Sequence, residues 1–323
     1  MTSPLTSGCA DCPEGAVSLP RPAPPVVAAG PPPRWKLLSA FATVYVVWGS
    51  TYLAIRFAIE TLPPFLMAAG RFLVAGGLMW LWAKRRGAGR PTRRQVGAAA
   101  VVGLLLLAGG NGGVVWAEQR IDSGLAALLV ATVPLWVVGI EWLLPGGRRP
   151  RLPMMLGVAG GLAGIALLVG PAELAGAERV DLRGAGVLVA ASLLWTIGSL
   201  YASRAELPAS ARLGTAIEML VGGAGLVLAG ALAGDFGRLE LGTVSALSWA
   251  ALAYLVVFGS LIAFSAYVWL LRVAAPTTVA TYAYVNPVVA LLLGWAFAGE
   301  ELSARTFLAA KAQPRRSATT GLT

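Results

Sequence analysis

The chain contains two related stretches of six residues, RFLVAG at positions 71–76 and EMLVGG at positions 218–223. Each stretch lies inside a long apolar run, and each begins with a charged residue, Arg71 in the first and Glu218 in the second. A charged side chain is costly to place inside a membrane-length apolar run, so both residues are candidate functional groups. The repetition also predicts that the protein is built from two related halves.

The composition predicts an all-α integral membrane protein. Hydrophobic residues make up 57% of the chain and charged residues 12%, whereas a soluble domain contains about 25% charged residues. Apolar segments of about 20 residues follow one another, and a helix of that length crosses a hydrocarbon core of roughly 30 Å. We expect nine full transmembrane helices, at about residues 37–58, 63–83, 95–116, 123–144, 152–170, 184–203, 211–233, 246–271 and 276–298.

A tenth helix should begin near residue 304, but the sequence interrupts it. Residues 305–310 start in a helical pattern and are followed by Lys311, Pro314 and Arg315. Six helical residues rise only about 9 Å, which is too short to cross a membrane. We therefore expect a truncated tenth helix; a genuine nine-helix variant is the alternative.

The basic residues predict the orientation. The net charge of +10 could indicate a nucleic-acid partner, but no nucleic-acid module is recognisable. The Lys and Arg residues instead lie in short loops between apolar runs, and eighteen of the 25 fall on the side of the N-terminus. Because cytoplasmic loops carry the excess of Lys and Arg, the N-terminus is expected in the cytoplasm.

The two ends of the chain differ in composition from the apolar part. Residues 1–35 are rich in proline and are expected to form a disordered cytoplasmic tail. Cys9 and Cys12 have no second cysteine pair and are expected to be free thiols. With no histidine in the chain, we expect no metal site and no cofactor.

The apolar part divides into two halves of five expected helices. GSTY at 49–52 matches GSLY at 198–201, and Trp116 and Pro134 match Trp269 and Pro287 at a shared offset. An odd number of helices per half turns the second half upside down relative to the first. Such inverted repeats are typical of secondary transporters, with the substrate site near the membrane midplane. The expected parts are a first repeat at 37–170, a second repeat at 184–310 with a partial fifth helix, and a basic tail at 311–323.

Several longer motifs accompany these landmarks. They are VWGSTY at 47–52, the segment 64–72, WAEQ at 116–119, LAALLVATVP at 125–134, and the segment 259–300 with APTT at 275–278 and YVNP at 284–287.

As a set, these motifs resemble the drug/metabolite transporter superfamily in its ten-helix form with two EamA-type repeats. The resemblance covers about residues 37–304 and departs from the family where the tenth helix is largely missing. It implies movement of metabolites, often amino acids, or of toxic compounds across the inner membrane, frequently outward. It does not imply one substrate.

Arg71 and Glu218 are the main candidates for transport. Arg71 lies about eight residues into its span, so it should face a cavity or a partner. It is either a cationic anchor for an anionic substrate group, a role favoured by the family resemblance, or a structural cation satisfied by helix carbonyls. Glu218 is either a proton-coupling carboxyl group or a helix-start residue near the headgroups and Arg212. The two charges can pair only if both turn inward.

The other acidic residues have simpler interpretations. Glu141 is expected to anchor the inner end of the fourth span, close to Arg148. Glu118 and Asp122 are expected to face water at the outer mouth.

Two prolines and two asparagines lie inside apolar runs. Pro134 and Pro287 each remove a helix hydrogen bond and are hinge candidates, although prolines are also tolerated in membrane helices. Asn111 lies among four glycines, and Asn286 precedes Pro287. Both asparagines are candidates for substrate contact.

Aromatic residues are the remaining cavity candidates. Each of them could instead belong to the aromatic belts at the membrane interfaces. The candidates for substrate binding are Trp48, Tyr52, Trp195, Tyr201, Tyr267 and Tyr282.

The sequence therefore predicts a secondary transporter that moves a small molecule across the bilayer by alternating access, in the direction of export. No Walker A motif is present, so ATP is not the motor. The alternatives are a passive facilitator and a truncated membrane protein without transport activity. An enzyme would need clustered catalytic groups that the chain lacks. A homodimer stays open, because four glycines (Gly157, Gly160, Gly161 and Gly164) give the fifth span a small face.

Overall fold

The computed structural model describes residues 32–121, 126, 129–144, 149–150, 152–169 and 181–298. These residues form nine longer helices, and the all-helical membrane fold is confirmed. The expected tenth helix, the C-terminal tail and almost all of the N-terminal tail lie outside the described residues. The helices are α1 (Arg34–Ile59), α2 (Pro64–Arg85), α3 (Arg93–Ala117), α4 (Val133–Leu143), α5 (Leu152–Val169), α6 (Leu182–Ala202), α7 (Ala211–Leu232), α8 (Ala246–Val273) and α9 (Tyr282–Ala298).

Six of the described helices, α1, α2, α3, α6, α7 and α8, are long and apolar enough to cross a membrane. Polar side chains start four of the nine helices. Thr92 and Gln95 form a reciprocal capping box at α3, and the side chains of Asp181, Ser210 and Ser245 accept backbone hydrogen bonds at α6, α7 and α8. These caps satisfy amide groups that a helix start leaves without partners.

The third helix of each half contains a π-helical segment. The segments are Leu104–Asn111 in α3 and Leu255–Phe264 in α8. Their last residues are 153 positions apart, the offset that relates Pro134 to Pro287. Because π segments are rare and are frequent at functional sites, their matched placement indicates a feature that both halves share.

The fourth span of each half is broken at the same tripeptide, Val-Ala-Thr. A turn at 131–132 precedes α4, and a turn at 280–281 separates a single-turn helix (Pro276–Val279) from α9. The hydroxyl of Thr132 donates to the carbonyl three residues back, and that of Thr281 does the same at 2.6 Å. Such local bonds compete with the helix ladder. The ninth span, expected to be continuous, is therefore interrupted.

The two prolines have different surroundings. Pro134 lies in the first turn of α4, where a helix amide needs no intrahelical partner, so the expectation that it removes a helix hydrogen bond is wrong. Pro287 lies inside α9, as expected. A hinge role for either proline stays a prediction.

The two charged stretches pack against each other where α2 meets α7. A Cβ atom on Gly76 would lie 3.0 Å from Leu220 Cγ, and one on Gly223 would lie 2.9 Å from Leu73 Cγ. A Cβ atom on Gly103 of α3 would lie 2.2 Å from the carbonyl oxygen of Glu218. The backbones of α2, α3 and α7 can approach this closely only because these positions are glycine.

Candidate functional site

A cavity of about 700 Å³, including its open mouth, lies between the helices. Its wall is mostly apolar, with few polar groups, as is usual for small-molecule sites. Residues from both halves line it. Seven of the predicted substrate-binding residues are among them: Trp48, Tyr52, Arg71, Asn111, Trp195, Tyr282 and Asn286.

Arg71 is the charged residue among those that line the cavity. Only 4% of Arg71 is exposed, and its Nε donates to the hydroxyl of Ser260 at 2.7 Å. Its guanidinium carbon lies 4.8 Å from the centre of the Phe72 ring. A Cβ atom on Gly259 would lie 2.7 Å from Nη2, so that glycine leaves room for the guanidinium group.

The positive charge of Arg71 has no ion-pair partner in the part of the chain that the structure describes, where no carboxylate oxygen lies within 4.0 Å of it. Pairing with Glu218, which the sequence left open, does not occur. A buried cation beside a cavity and without a paired anion is able to bind an anion.

Glu118 does not simply face water, so the sequence-based expectation for it is wrong. Its Oε1 is buried and has no hydrogen-bond partner among the described residues. Burial raises the pKa of Glu118, the first residue after α3, to about 8, and the positive charge of Arg71 opposes this rise. The residue also interacts electrostatically with Tyr52. Sequence reasoning missed it because it follows directly after a span.

Four aromatic rings form a connected cluster. The ring of Trp48 lies 5.5 Å from that of Trp195, 4.8 Å from Tyr267 and 5.2 Å from Tyr282, measured between centroids. Trp195 Nε1 donates to the Tyr267 hydroxyl at 2.9 Å. Tyr267 is 2% exposed and supports the lining residues from behind, whereas Tyr201 is 40% exposed and does not line the cavity.

The two asparagines present different groups. When the amide nitrogen of Asn286 is directed toward the carbonyl oxygens of Tyr45 and Tyr282, it donates to both of them, each at 3.1 Å. This orientation holds α9 against α1. Asn111 Oδ1 and the hydroxyl of Ser192 are buried at the cavity and have no partner within the described chain. The Asn111 oxygen can therefore accept a hydrogen bond from a ligand, and the Ser192 hydroxyl can accept or donate one.

The remaining acidic candidates lie away from the cavity. Glu218 is fully buried, and neither carboxylate oxygen has a hydrogen-bond partner among described residues. It interacts electrostatically with Arg272. Glu141 pairs with Arg204 at 3.6 Å; Arg148, its expected neighbour, lies outside the described residues. Proton coupling by Glu218 stays a prediction.

The membrane helices and the cavity between them define a polytopic membrane protein with a small-molecule site. Comparison with known proteins identifies the class more closely. The chain belongs to the EamA-like transporter family, whose sequence model matches residues 35–170 and again residues 182–311. It is therefore a membrane transporter and not an enzyme, and the two matches support two duplicated halves.

Relatives from several kingdoms are similar to the chain. An Escherichia coli (strain K12) protein described as the uncharacterized inner membrane transporter YedA is 43% identical over 84% of this chain and 86% of its own length. The protein PecM of Dickeya dadantii is 27% identical over 80% of this chain and 82% of its own length. An Arabidopsis thaliana WAT1-related chloroplastic protein is 24% identical over 80% of this chain and 63% of its own.

A solved crystal structure has the same fold. It is 22% identical in sequence and superposes with a TM-score of 0.67, covering 86% of this chain and 94% of the other.

Proposed function

We propose that the protein is a secondary transporter that exports a small metabolite with an anionic group, such as an amino acid or a related compound, or a drug. Alternating access across the bacterial inner membrane is the mechanism. The buried and unpaired guanidinium of Arg71 at the cavity carries the proposal. Family membership and the Escherichia coli inner membrane relative support the location.

The packing of α2 against α7 supports an inverted repeat. Leu73 and Leu220 occupy the same position in the two stretches, and so do Gly76 and Gly223. Gly76 packs on Leu220, and Gly223 packs on Leu73, so the contact is reciprocal. In both contacts the later residue of one stretch meets the earlier residue of the other. Leu66 of α2 likewise packs on Gly230 of α7, so residue numbers that rise along α2 fall along α7, and the two helices run antiparallel. An antiparallel pair of matched helices is what an inverted repeat about a two-fold axis in the membrane plane requires.

The matched helix breaks supply places where the two halves can bend. Val130 and Val133 flank the first break and line the cavity, and Tyr282, which directly follows the second break, also lines it. Hinges are often a few residues at element ends that absorb backbone changes. Bending at these breaks would open and close the wall of the cavity itself.

The cavity suits a substrate with one anionic end and an apolar body. Arg71 would bind the carboxylate, and the rings of Trp48 and Trp195 would pack against the apolar part. The unpartnered Oδ1 of Asn111 offers an acceptor for a substrate N–H group. Such a set of one charge, a few hydrogen-bonding groups and aromatic walls is what fixes small ligands in orientation.

The test is transport in proteoliposomes that contain the purified full chain. A panel of radiolabelled amino acids and aromatic carboxylates would be assayed with and without an imposed proton gradient. We expect Arg71→Gln to abolish flux, while Arg94→Gln, which alters an arginine that is 84% exposed at the start of α3, retains it. Wild-type flux that Arg71→Gln leaves unchanged would refute the anionic site.

The same assay separates the alternative functions. Flux that a proton gradient does not accelerate and that Glu218→Gln leaves unchanged would indicate a passive facilitator. A correctly inserted protein with no flux for any compound would indicate loss of transport activity.

A further inference from the structure

We propose that Glu118 competes with the substrate for Arg71 in a proton-dependent way: its ionised carboxylate acts as a counter-ion across the cavity, and an anionic substrate displaces that charge by binding together with one proton. The inference rests on the proposed anion site and assigns it a proton-coupling group. Three observations carry it: the face of α3 that bears Glu118, its unpartnered buried oxygen, and its electrostatic interactions with two cavity residues.

The position of Glu118 on α3 follows from helix periodicity. Asn111 and Val114 line the cavity. Residues three, four and seven apart share one face of a helix, so Glu118 continues the stripe that these two residues begin. The next residues, Gln119 and Arg120, are exposed on another face. Because its Oε1 is also buried, we infer that the carboxyl group extends this stripe toward the cavity and not into the bulk solvent.

The geometry leaves a gap between the two charges. Arg71 and Glu118 interact electrostatically, yet they do not form an ion pair within 4.0 Å in the described structure. The buried Oε1 of Glu118 accepts no hydrogen bond from the described residues, and the Nε–H group of Arg71 donates to Ser260. Tyr52 also interacts electrostatically with Glu118, and it lines the same cavity as Arg71. A substrate carboxylate placed against the guanidinium would enter this gap.

Competition for one cation couples the substrate to a proton. When Glu118 is ionised, its negative charge partly neutralises Arg71 and repels a second anion. When it is protonated, Arg71 is free to bind the substrate carboxylate. The bound anion in turn favours the protonated carboxyl group, because two negative charges close together disfavour each other. By linkage, substrate binding takes up a proton and proton binding strengthens substrate binding.

The other charged groups near the end of α3 do not take this role. Arg120 lies over the Trp116 ring at 4.5 Å and pairs with Asp181 at 3.8 Å at the start of α6. On the neighbouring helices, the charged residues are Arg183 at the start of α6 and Arg71 on α2. Within the described chain, two groups both line the cavity and interact electrostatically with Glu118. They are the cation Arg71 on α2 and the titratable residue Tyr52 on α1.

The first test needs no substrate. Infrared difference spectra of the full chain in lipid nanodiscs detect the C=O stretch of protonated carboxyl groups during a pH titration. Since the pKa of Glu118 is about 8, we expect a carboxyl band that disappears around that pH in wild type and is missing in Glu118→Gln. The variant Glu218→Gln identifies the separate band of Glu218, a second buried carboxyl group. Glu60→Gln, which alters an exposed carboxylate after α1, should keep the band. An unchanged band in Glu118→Gln would overturn the inference.

The second test measures binding of 3-phenylpropionate, L-phenylalanine and L-leucine by tryptophan fluorescence at several pH values. With a pKa of about 8 for Glu118, one-proton linkage predicts about tenfold weaker binding of 3-phenylpropionate at pH 9 than at pH 7. Glu118→Gln should bind equally well at both pH values, and Arg71→Gln should not bind.

The outcomes distinguish the two proposals. Dependence on Arg71 with a pH response that persists in Glu118→Gln would overturn the role of Glu118 and leave the anion site standing. Binding that survives Arg71→Gln, or no binding of any of the three carboxylates, would refute the anion site and the displacement with it.

Discussion

Replacing Gly103 by alanine tests the close contact between α3 and α7. The added Cβ atom would lie 2.2 Å from the carbonyl oxygen of Glu218 and 2.8 Å from its Cα and carbonyl carbon. All three atoms belong to the backbone of α7, so no side chain can rotate out of the way. The two helices would have to separate by about 1 Å to restore an ordinary contact.

The expected cost follows from overpacking. Extra methyl groups in a tightly packed interior cost about 1–3 kcal/mol, and a clash between backbones belongs at the upper end. Alanine is a better helix former than glycine by up to about 1 kcal/mol, which offsets part of this loss. We therefore expect a net destabilisation of about 2 kcal/mol, or a decrease of about 3 °C in the unfolding midpoint of a chain of this length.

The assay is thermal unfolding of the purified protein in detergent, with Gly97→Ala as the matched control. Gly97 is an exposed residue on the same helix, and a Cβ atom there would meet nothing within 4 Å. Gly97→Ala should keep or slightly raise the midpoint because only the helix propensity changes. Equal midpoints for the two variants would refute the contact between α3 and α7 described above.

Two further contacts make predictions of the same kind. Ser260→Ala removes the acceptor of the Arg71 Nε–H bond and should weaken carboxylate binding about tenfold in the fluorescence assay. The matched control Ser265→Ala removes a buried hydroxyl that has no described partner and should leave binding unchanged. Asp235→Ala removes the carboxylate that accepts a hydrogen bond from the Phe65 amide at 2.9 Å, at the start of α2. The free energy of unfolding should fall by about 1–3 kcal/mol in thermal unfolding, with carboxylate binding retained at low temperature. An unchanged midpoint would contradict this capping role.

Hydropathy and charge were sufficient to predict the helices and the cationic group. The length of an apolar run is a local property of the sequence. The predicted span 63–83 accordingly begins one residue before α2 (Pro64–Arg85). Arg71 stood out because a charge inside such a run has few tolerable surroundings. Hydropathy could not predict the breaks at Val-Ala-Thr, because valine and alanine are apolar and each threonine hydroxyl can donate to a carbonyl three residues earlier in its own segment.

Glu118 escaped prediction for a different reason. The π segment over Leu104–Asn111 widens the helix turns. The faces of residues before and after it are therefore not related by a regular helical period counted from the start of α3. Only the structure shows that Asn111 and Val114 line the cavity, and only then does the face of Glu118 follow. A charged residue directly after a predicted span is by itself only a weak sign of a cavity residue.

The duplicated halves provide different surroundings for their two deep charges. Arg71 finds a hydroxyl acceptor at Ser260 on α8. At the shared offset of 153, the position of Ser260 in the first half is Leu107, which cannot bond to the carboxylate of Glu218. Glu218 accordingly has no described hydrogen-bond partner and lies off the cavity, whereas Arg71 lines it.

Among the residues that the structure describes, the repeat thus places a charge against the cavity in the first half and not in the second. An anionic substrate would then be held by the α1, α2 and α3 side of the cavity, while α6 and α9 contribute the apolar and amide contacts of Trp195, Tyr282 and Asn286. Exchanging the environments, by Leu107→Ser together with Ser260→Leu, should therefore weaken carboxylate binding and not move it to the second half, because Glu218 carries the wrong charge. Binding retained by this double variant, measured by the fluorescence titration, would contradict the asymmetry.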